Sequence, residues 1–196
     1  MKTITNKPMK KIFYLTILSF LFFACTKDKT VESEIDVLPE ITEIGANTAG
    51  VEIDGQVLIP GDGINTGYGG SSIIKGLDVT TGSNFISSNG NDRFTLFIKN
   101  LKRPNGFILL MEIGILNQTG SIFTSNSPFL PEIYVGKVIN GTVQKQFYSK
   151  ENSCEIIITK LDFTTGIISG TFKGNVFDEN NNAIVLKNGR FDVKII

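Results

Sequence analysis

Arg93-Phe94-Thr95-Leu96-Phe97-Ile98-Lys99 decides the class of fold. Phe94, Leu96 and Ile98 stand at every second position, and Thr95, Phe97 and Lys99 lie between them. Side chains alternate across a strand, so this spacing gives one apolar and one mixed face; a helix needs apolar residues three and four apart. Downstream, Phe107 to Leu116 is apolar on both faces and predicts a central strand, with Gly106 suited to a turn and Gly114 to a bend. Further strands are predicted at Glu132 to Val138, Thr142 to Tyr148, Cys154 to Leu161, Gly166 to Phe177 and Ala183 to Ile195. Short links at 162–165 and 178–182 make the last three an antiparallel meander.

Upstream, Asp54-Gly55 between Val51-Glu52-Ile53 and Gln56-Val57-Leu58-Ile59 is a type I′ hairpin signal, because both turn residues need positive φ. Residues 60–72 read as a glycine-rich loop, Ser72 to Val79 as a strand, and Ser121 to Pro131 as irregular. Roughly nine strands without a helical pattern predict a single all-β antiparallel domain over 48–196, a β-sandwich or a barrel-like fold, with both open.

The amino-terminal segment has a different character. Lys2, Lys7, Lys10 and Lys11 precede the apolar run Ile12 to Phe23, which suits a signal peptide and is shorter than the about 20 residues of a spanning helix. Leu21-Phe22-Phe23-Ala24-Cys25 resembles a lipobox. That resemblance implies a signal peptide over 1–24, cleavage before Cys25 and a membrane anchor of lipid, palmitate included, on that cysteine. Phe22 and Phe23 are bulkier than the usual residues there. Residues 25–47, polar and charged, are expected to be a flexible tether. Lys27-Asp28 only partly resembles a surface-export signal, since Lys29 breaks the acidic run. The expected location is the cell outer membrane, with surface-exposed and periplasm-facing orientations both open.

From Cys25 onward the chain keeps fifteen basic and nineteen acidic residues, a formal charge of −4. That balance and the lack of a basic cluster argue against nucleic acid as a partner. Cys154 would be left unpaired, and within Cys154-Glu155-Ile156-Ile157-Ile158 it reads as a small buried hydrophobe.

The carboxy-terminal third carries a family likeness. Ile158-Thr159-Lys160-Leu161-Asp162, Ile168-Ser169-Gly170-Thr171-Phe172 and Lys187-Asn188-Gly189-Arg190-Phe191-Asp192 resemble the "ITKLD … ISGTF … ITNGRFD" pattern of an uncharacterised Bacteroidota lipoprotein family. Ala49 to Gly55 echoes the "VDG" hairpin of such domains, and Leu186-Lys187 departs where Ile-Thr is usual. The resemblance implies a lipid-anchored β domain and brings no catalytic residues. The motif reads as a folding signature, with Gly170 for a bulge or close packing, Gly189 for a bend before the last strand, and Asp162 holding its turn.

The chain has no histidine, which removes Ser-His-Asp and Cys-His catalysis and His-ligated metal from a single chain. No catalytic residues, metal site or cofactor are expected, and the chain is read as a non-enzyme. Carboxylates at Asp54, Asp62, Asp78, Asp92, Glu112, Glu132 and Glu155 leave a glycan hydrolase as a remote alternative. Glu112, inside an apolar strand, is expected to face solvent or pair with a lysine. Gly67-Tyr68-Gly69-Gly70-Ser71-Ser72 lacks the lysine and helix of a P-loop, and Asp178 to Asn182 lacks the glycine and glutamate of a calcium loop. Tyr68, Phe85, Phe123, Phe129, Tyr134, Phe147 and Tyr148 are candidates for a sugar-stacking platform, with Tyr68, Phe123 and Phe129 the candidate ligand-binding residues. The expected function is a lipid-anchored, non-catalytic binding module whose protein or glycan ligand meets the loops at 60–72 and 117–131. The alternative is a lipocalin-like carrier of an apolar ligand.

Overall fold

The computed structural model describes residues 36–67, 70–125 and 132–195. Cys25, the signal segment 1–24, the tether as far as Ile35, Tyr68 and Phe129 lie outside the described residues. The described residues contain no helix, and their strands are β1 (Thr48–Ile53), β2 (Gln56–Leu58), β3 (Gly63–Gly67), β4 (Gly70–Ile74), β5 (Leu77–Thr81) and β6 (Phe94–Lys99). β7 (Gly106–Ile113), β8 (Gly120–Phe123), β9 (Glu132–Ile139), β10 (Thr142–Asp162), β11 (Ile167–Phe177) and β12 (Ala183–Lys194) follow.

Nine strands run in the order β2-β1-β12-β11-β10-β9-β7-β6-β5 in one antiparallel sheet curled into a half-barrel, and β8 joins it as a tenth by pairing with β10. Of the two predicted architectures, the chain thus adopts the barrel-like one. β7 is central between β6 and β9, and β10-β11-β12 is the predicted meander. The Asp54-Gly55 turn has φ of 50° and 82°, as type I′ requires.

Alternation drives the curl. Phe94, Leu96 and Ile98 of β6 and Leu109, Met111 and Ile113 of β7 are fully buried, and they join Val51, Ile53, Ile133, Val135, Ile156, Ile158 and Val193 in one core. Burying each such side chain contributes about 1.5–3 kcal/mol, which makes a register slip costly across the whole face. At one end Phe163, Phe85, Phe94 and Phe191 form a chain of tilted rings with centroids 5.7–6.2 Å apart.

Three expectations need correction. The glycine-rich stretch contains β3 and β4, a separate two-stranded hairpin in which Ile64 pairs with Ile73, so the strand expected over 72–79 is cut at Lys75-Gly76. The strands expected at 142–148 and 154–161 are one bent strand, β10, serving β9 and then β8 along one edge. At the bend, buried Thr124 donates to the Lys150 carbonyl (2.7 Å) and accepts from the Cys154 N–H (3.0 Å), and Ser149 accepts from the Ile133 N–H (2.9 Å). Gly189 lies inside β12 rather than ahead of it.

The motif glycines are seats for rings. Gly189 is opposite Phe172, and a Cβ there would stand 2.6 Å from that ring; Gly170 is opposite Phe191, where a Cβ would stand 2.8 Å from the ring. Asp162 accepts from the Thr164 and Thr165 N–H groups (2.9 and 3.1 Å) and so holds its turn.

Residues 36–47, which the sequence assigns to the tether, belong to the same compact unit as the strands. Residues 36–47 lie along β1 and β12, and Asp192 holds them. This carboxylate, 1% exposed, accepts from Thr42 Oγ1 (2.6 Å), Ser169 Oγ (2.7 Å) and the N–H groups of Ile44, Gly45 and Ala46 (3.1, 2.9 and 3.0 Å). Burial alone would raise its pKa, but the hydrogen bonds from Thr42, Ala46, Ser169 and Gly45 outweigh that and hold it at about 2.

Candidate functional site

The outward positions of β6, β7, β9 and β10 build a surface that the core does not need. Leu110 is opposite Phe97 on one side and Tyr134 on the other, and Tyr134 is opposite Tyr148, so the four form a row across the strands. The Tyr134 and Tyr148 rings are 5.2 Å apart at their centroids and inclined by 52°. Gly136 makes room for the first: a Cβ there would stand 2.9 Å from both the Tyr134 hydroxyl and Ile108 Cγ1, and 3.1 Å from Val143 Cγ1. Tyr134 therefore lies along the sheet over Gly136. Tyr148 is 44% exposed, with its hydroxyl donating to Gln146 Oε1 (3.0 Å). Burial, and after it the neighbouring Tyr148, pushes the Tyr134 phenol above its ordinary range, so it remains a neutral hydroxyl.

Glu112 and Glu132 are direct cross-strand partners beside these rings. Like charges directly opposite destabilise a sheet. Arg93 offsets one of them, with Nη1 3.2 Å from Glu112 Oε1. Glu112 thus faces outward as expected, with an arginine where a lysine was expected. Leu110, Glu112, Glu132, Tyr134 and Tyr148 enclose a hollow of about 290 Å³. Tyr148 also walls a second hollow of about 470 Å³, with Gln144, Gln146, Lys145, Lys150 and Phe177. There Lys150 Nζ stands 4.5 Å from the Phe177 ring centre, and Lys145 is ion-paired with Asp178 (2.6 Å).

Tyr134 and Tyr148, two of the seven aromatic candidates, are thus brought together. Phe85 and Phe147 are core residues. Phe123, 50% exposed on β8, lines a different hollow with Asn152, Ser153, Glu155, Lys173 and Asn188. Three of the other candidate acids are spent on local structure: Asp62 accepts from the Gly76 N–H (2.8 Å) and pairs with Lys75, Asp92 accepts from the Asn84 N–H (3.1 Å), and Glu155 pairs with Lys173. Asp178 is a turn cap, accepting from the N–H groups of Asn180 and Asn182 (2.9 and 2.8 Å) and from the Asn182 amide (2.8 Å). Among the described residues no three His, Cys, Asp or Glu side chains gather as metal ligands. The partnership of Leu110, Glu132, Tyr134, Gln146 and Tyr148 is a product of strand register, which no local motif announces.

Cys154 is buried in the core, its Sγ 3.3 Å from the Asn175 carbonyl oxygen, and burial pushes its thiol up to about 11. A disulfide-exchange reagent at pH 8 should leave it unmodified in the folded chain and react fully on denaturation; rapid native-state reaction would contradict its placement.

No family model, curated protein or solved structure matches the chain.

Proposed function

We infer that the chain is a non-catalytic, lipid-anchored binding module of the bacterial envelope, and that its ligand is a glycan held on the outer face of the sheet. The observation that carries the reading is the Tyr134–Tyr148 pair, set between carboxylates on one side and amides and ammonium groups on the other. Sugar rings present apolar C–H faces, which stack on aromatic rings, and hydroxyls, which donate to carboxylates and accept from amides and lysines. Two hollows sharing Tyr148 suit neighbouring residues of one oligosaccharide. The lipobox-like sequence ending in Cys25 and the resemblance of residues 154–195 to an uncharacterised Bacteroidota lipoprotein family support the anchor. A carrier of apolar ligands would need an open interior, whereas the inward side chains here pack as one buried cluster.

The test is a glycan array probed with the chain from Thr26 onward. Wild-type chain should bind a defined subset of glycans, and Tyr148→Ala should weaken that binding at least tenfold, because the ring serves both hollows. Equal binding by wild type and Tyr148→Ala, or no glycan bound at all, would overturn the reading.

A further inference from the structure

One end of the half-barrel carries aliphatic side chains that the fold leaves in water. Ile64 and Ile73 are directly opposite each other in the β3–β4 hairpin and are 73% and 68% exposed. Leu101, 40% exposed at the tip between β6 and β7, lies against the other face of the hairpin's base, where a Cβ on Gly63 would stand 2.8 Å from Leu101 Cβ. Gly61 ties the two together, its N–H donating to the Lys99 carbonyl (3.0 Å) and its carbonyl accepting from the Leu101 N–H (2.8 Å). This isoleucine pair is not part of the core cluster, which leaves its side chains available to another surface.

The charges around it have one sign in excess. Lys75 follows Ile74 and is paired with Asp62; Lys102 and Arg103 follow Leu101, with Arg103 paired with Asp36 at 2.6 Å; and Lys99, two residues before Leu101, has its Nζ 4.9 Å from the Phe97 ring centre. This is a basic end on a chain that is acidic as a whole from Cys25 onward.

The third observation is where the anchor enters. Asp36, the first described residue, is held at Arg103, two positions from Leu101. Ten residues separate it from Cys25. At 3.3–3.6 Å per residue, even a fully stretched chain reaches at most roughly 40 Å. A lipid on Cys25 would therefore keep Asp36, and with it Arg103 and the neighbouring tip, within that distance of the bilayer.

We propose that the aliphatic–basic tip formed by the β3–β4 hairpin and the β6–β7 turn docks on the anionic surface of the membrane that holds the lipid anchor. Ile64 and Ile73 enter the interfacial layer, and Lys75, Lys99 and Lys102 meet lipid phosphates. Only the orientation rests on the lipid-anchor reading; the aliphatic and cationic groups stand without it. Docking would fix the attitude of the sheet to the membrane in place of free rotation on a tether.

The test uses the chain from Thr26 onward without lipid, which retains every described contact, and vesicles of phosphatidylglycerol and phosphatidylethanolamine against vesicles of phosphatidylcholine alone. The wild-type chain should sediment with the anionic vesicles and not with the neutral ones, and 0.5 M salt should release it. Ile64→Asp/Ile73→Asp should abolish sedimentation, and Lys102→Gln should weaken it roughly fivefold, as expected for about 1 kcal/mol per lysine near the surface. Tyr148→Ala should bind as wild type. Circular dichroism of each variant checks that these exposed substitutions leave the fold intact. Absence of binding to anionic vesicles, or unchanged binding by a folded Ile64→Asp/Ile73→Asp chain, would overturn the proposal. Because no lipid is attached in this assay, its failure would leave lipidation of Cys25 untouched, and palmitate labelling reads that separately.

Discussion

Asp192→Ala should lower the melting temperature by about 10 °C. The substitution deprives five donors at once: the hydroxyls of Thr42 and Ser169 and the N–H groups of Ile44, Gly45 and Ala46. Water reaches this position poorly, since Asp192 is buried. Leaving a buried donor unsatisfied costs about 1–3 kcal/mol, so losing the acceptor of several at once costs at least about 3 kcal/mol, and in a domain of this size each kcal/mol lowers the melting temperature by about 2–4 °C. The damage has a location as well as a size. Residues 36–47 should lose protection from amide exchange first, because Asp192 is what closes them onto β1 and β12.

The same carboxylate makes stability depend on pH. Its folded pKa of about 2 lies below the ordinary 3.8, so the ionised form favours the folded chain. The stabilisation is fully present above about pH 4 and is lost as pH falls toward 2, amounting to about 2 kcal/mol. Asp162 and Asp178, both held below the usual range, titrate in the same sense. The contribution of Asp192 is isolated by Asp192→Asn, whose deficit against wild type should be large at pH 7 and smaller at pH 2. A deficit that is equal at both pH values would contradict the assignment.

The second large effect concerns compartment. Cys25→Ala should move the protein out of the membrane fraction and abolish palmitate incorporation. Each buried methylene contributes about 0.8 kcal/mol, so two or three acyl chains hold a protein stably where one does not. The apolar run Ile12 to Phe23 is too short to replace that anchor by spanning the bilayer. Wild-type protein that takes up no palmitate, or a Cys25→Ala protein that remains with the membranes, would contradict lipidation.

What the sequence announced and what it concealed separate by range. The Asp54-Gly55 turn, the alternation in β6 and the meander after Cys154 are local, and each appears in the fold as read. The β3–β4 hairpin was concealed because its glycines weaken any strand signal, although their register lets Ile64 meet Ile73. The bend in β10 was read as a gap, since polar residues 149–153 interrupt the pattern while the strand continues. Residues 36–47 read as tether because their polar groups find no partner nearby; the partner, Asp192, is about 150 residues downstream. The candidate site failed to show for the same reason. Tyr134 and Tyr148 were visible as aromatics, but their meeting, and that of Glu112 with Glu132, depends on register between strands.

The central claim is that this sheet keeps its inward face for packing and its outward face for a ligand. A chemical-shift map of the isotopically labelled chain, titrated with a glycan that it binds, tests this most directly because β7 and β9 alternate between the two faces. Side-chain signals of Leu110, Glu132, Tyr134 and Tyr148 should move, while those of Leu109, Met111, Ile133 and Val135 remain in place. Shifts concentrated on the inward set, or confined to the β3–β4 hairpin, would contradict the account.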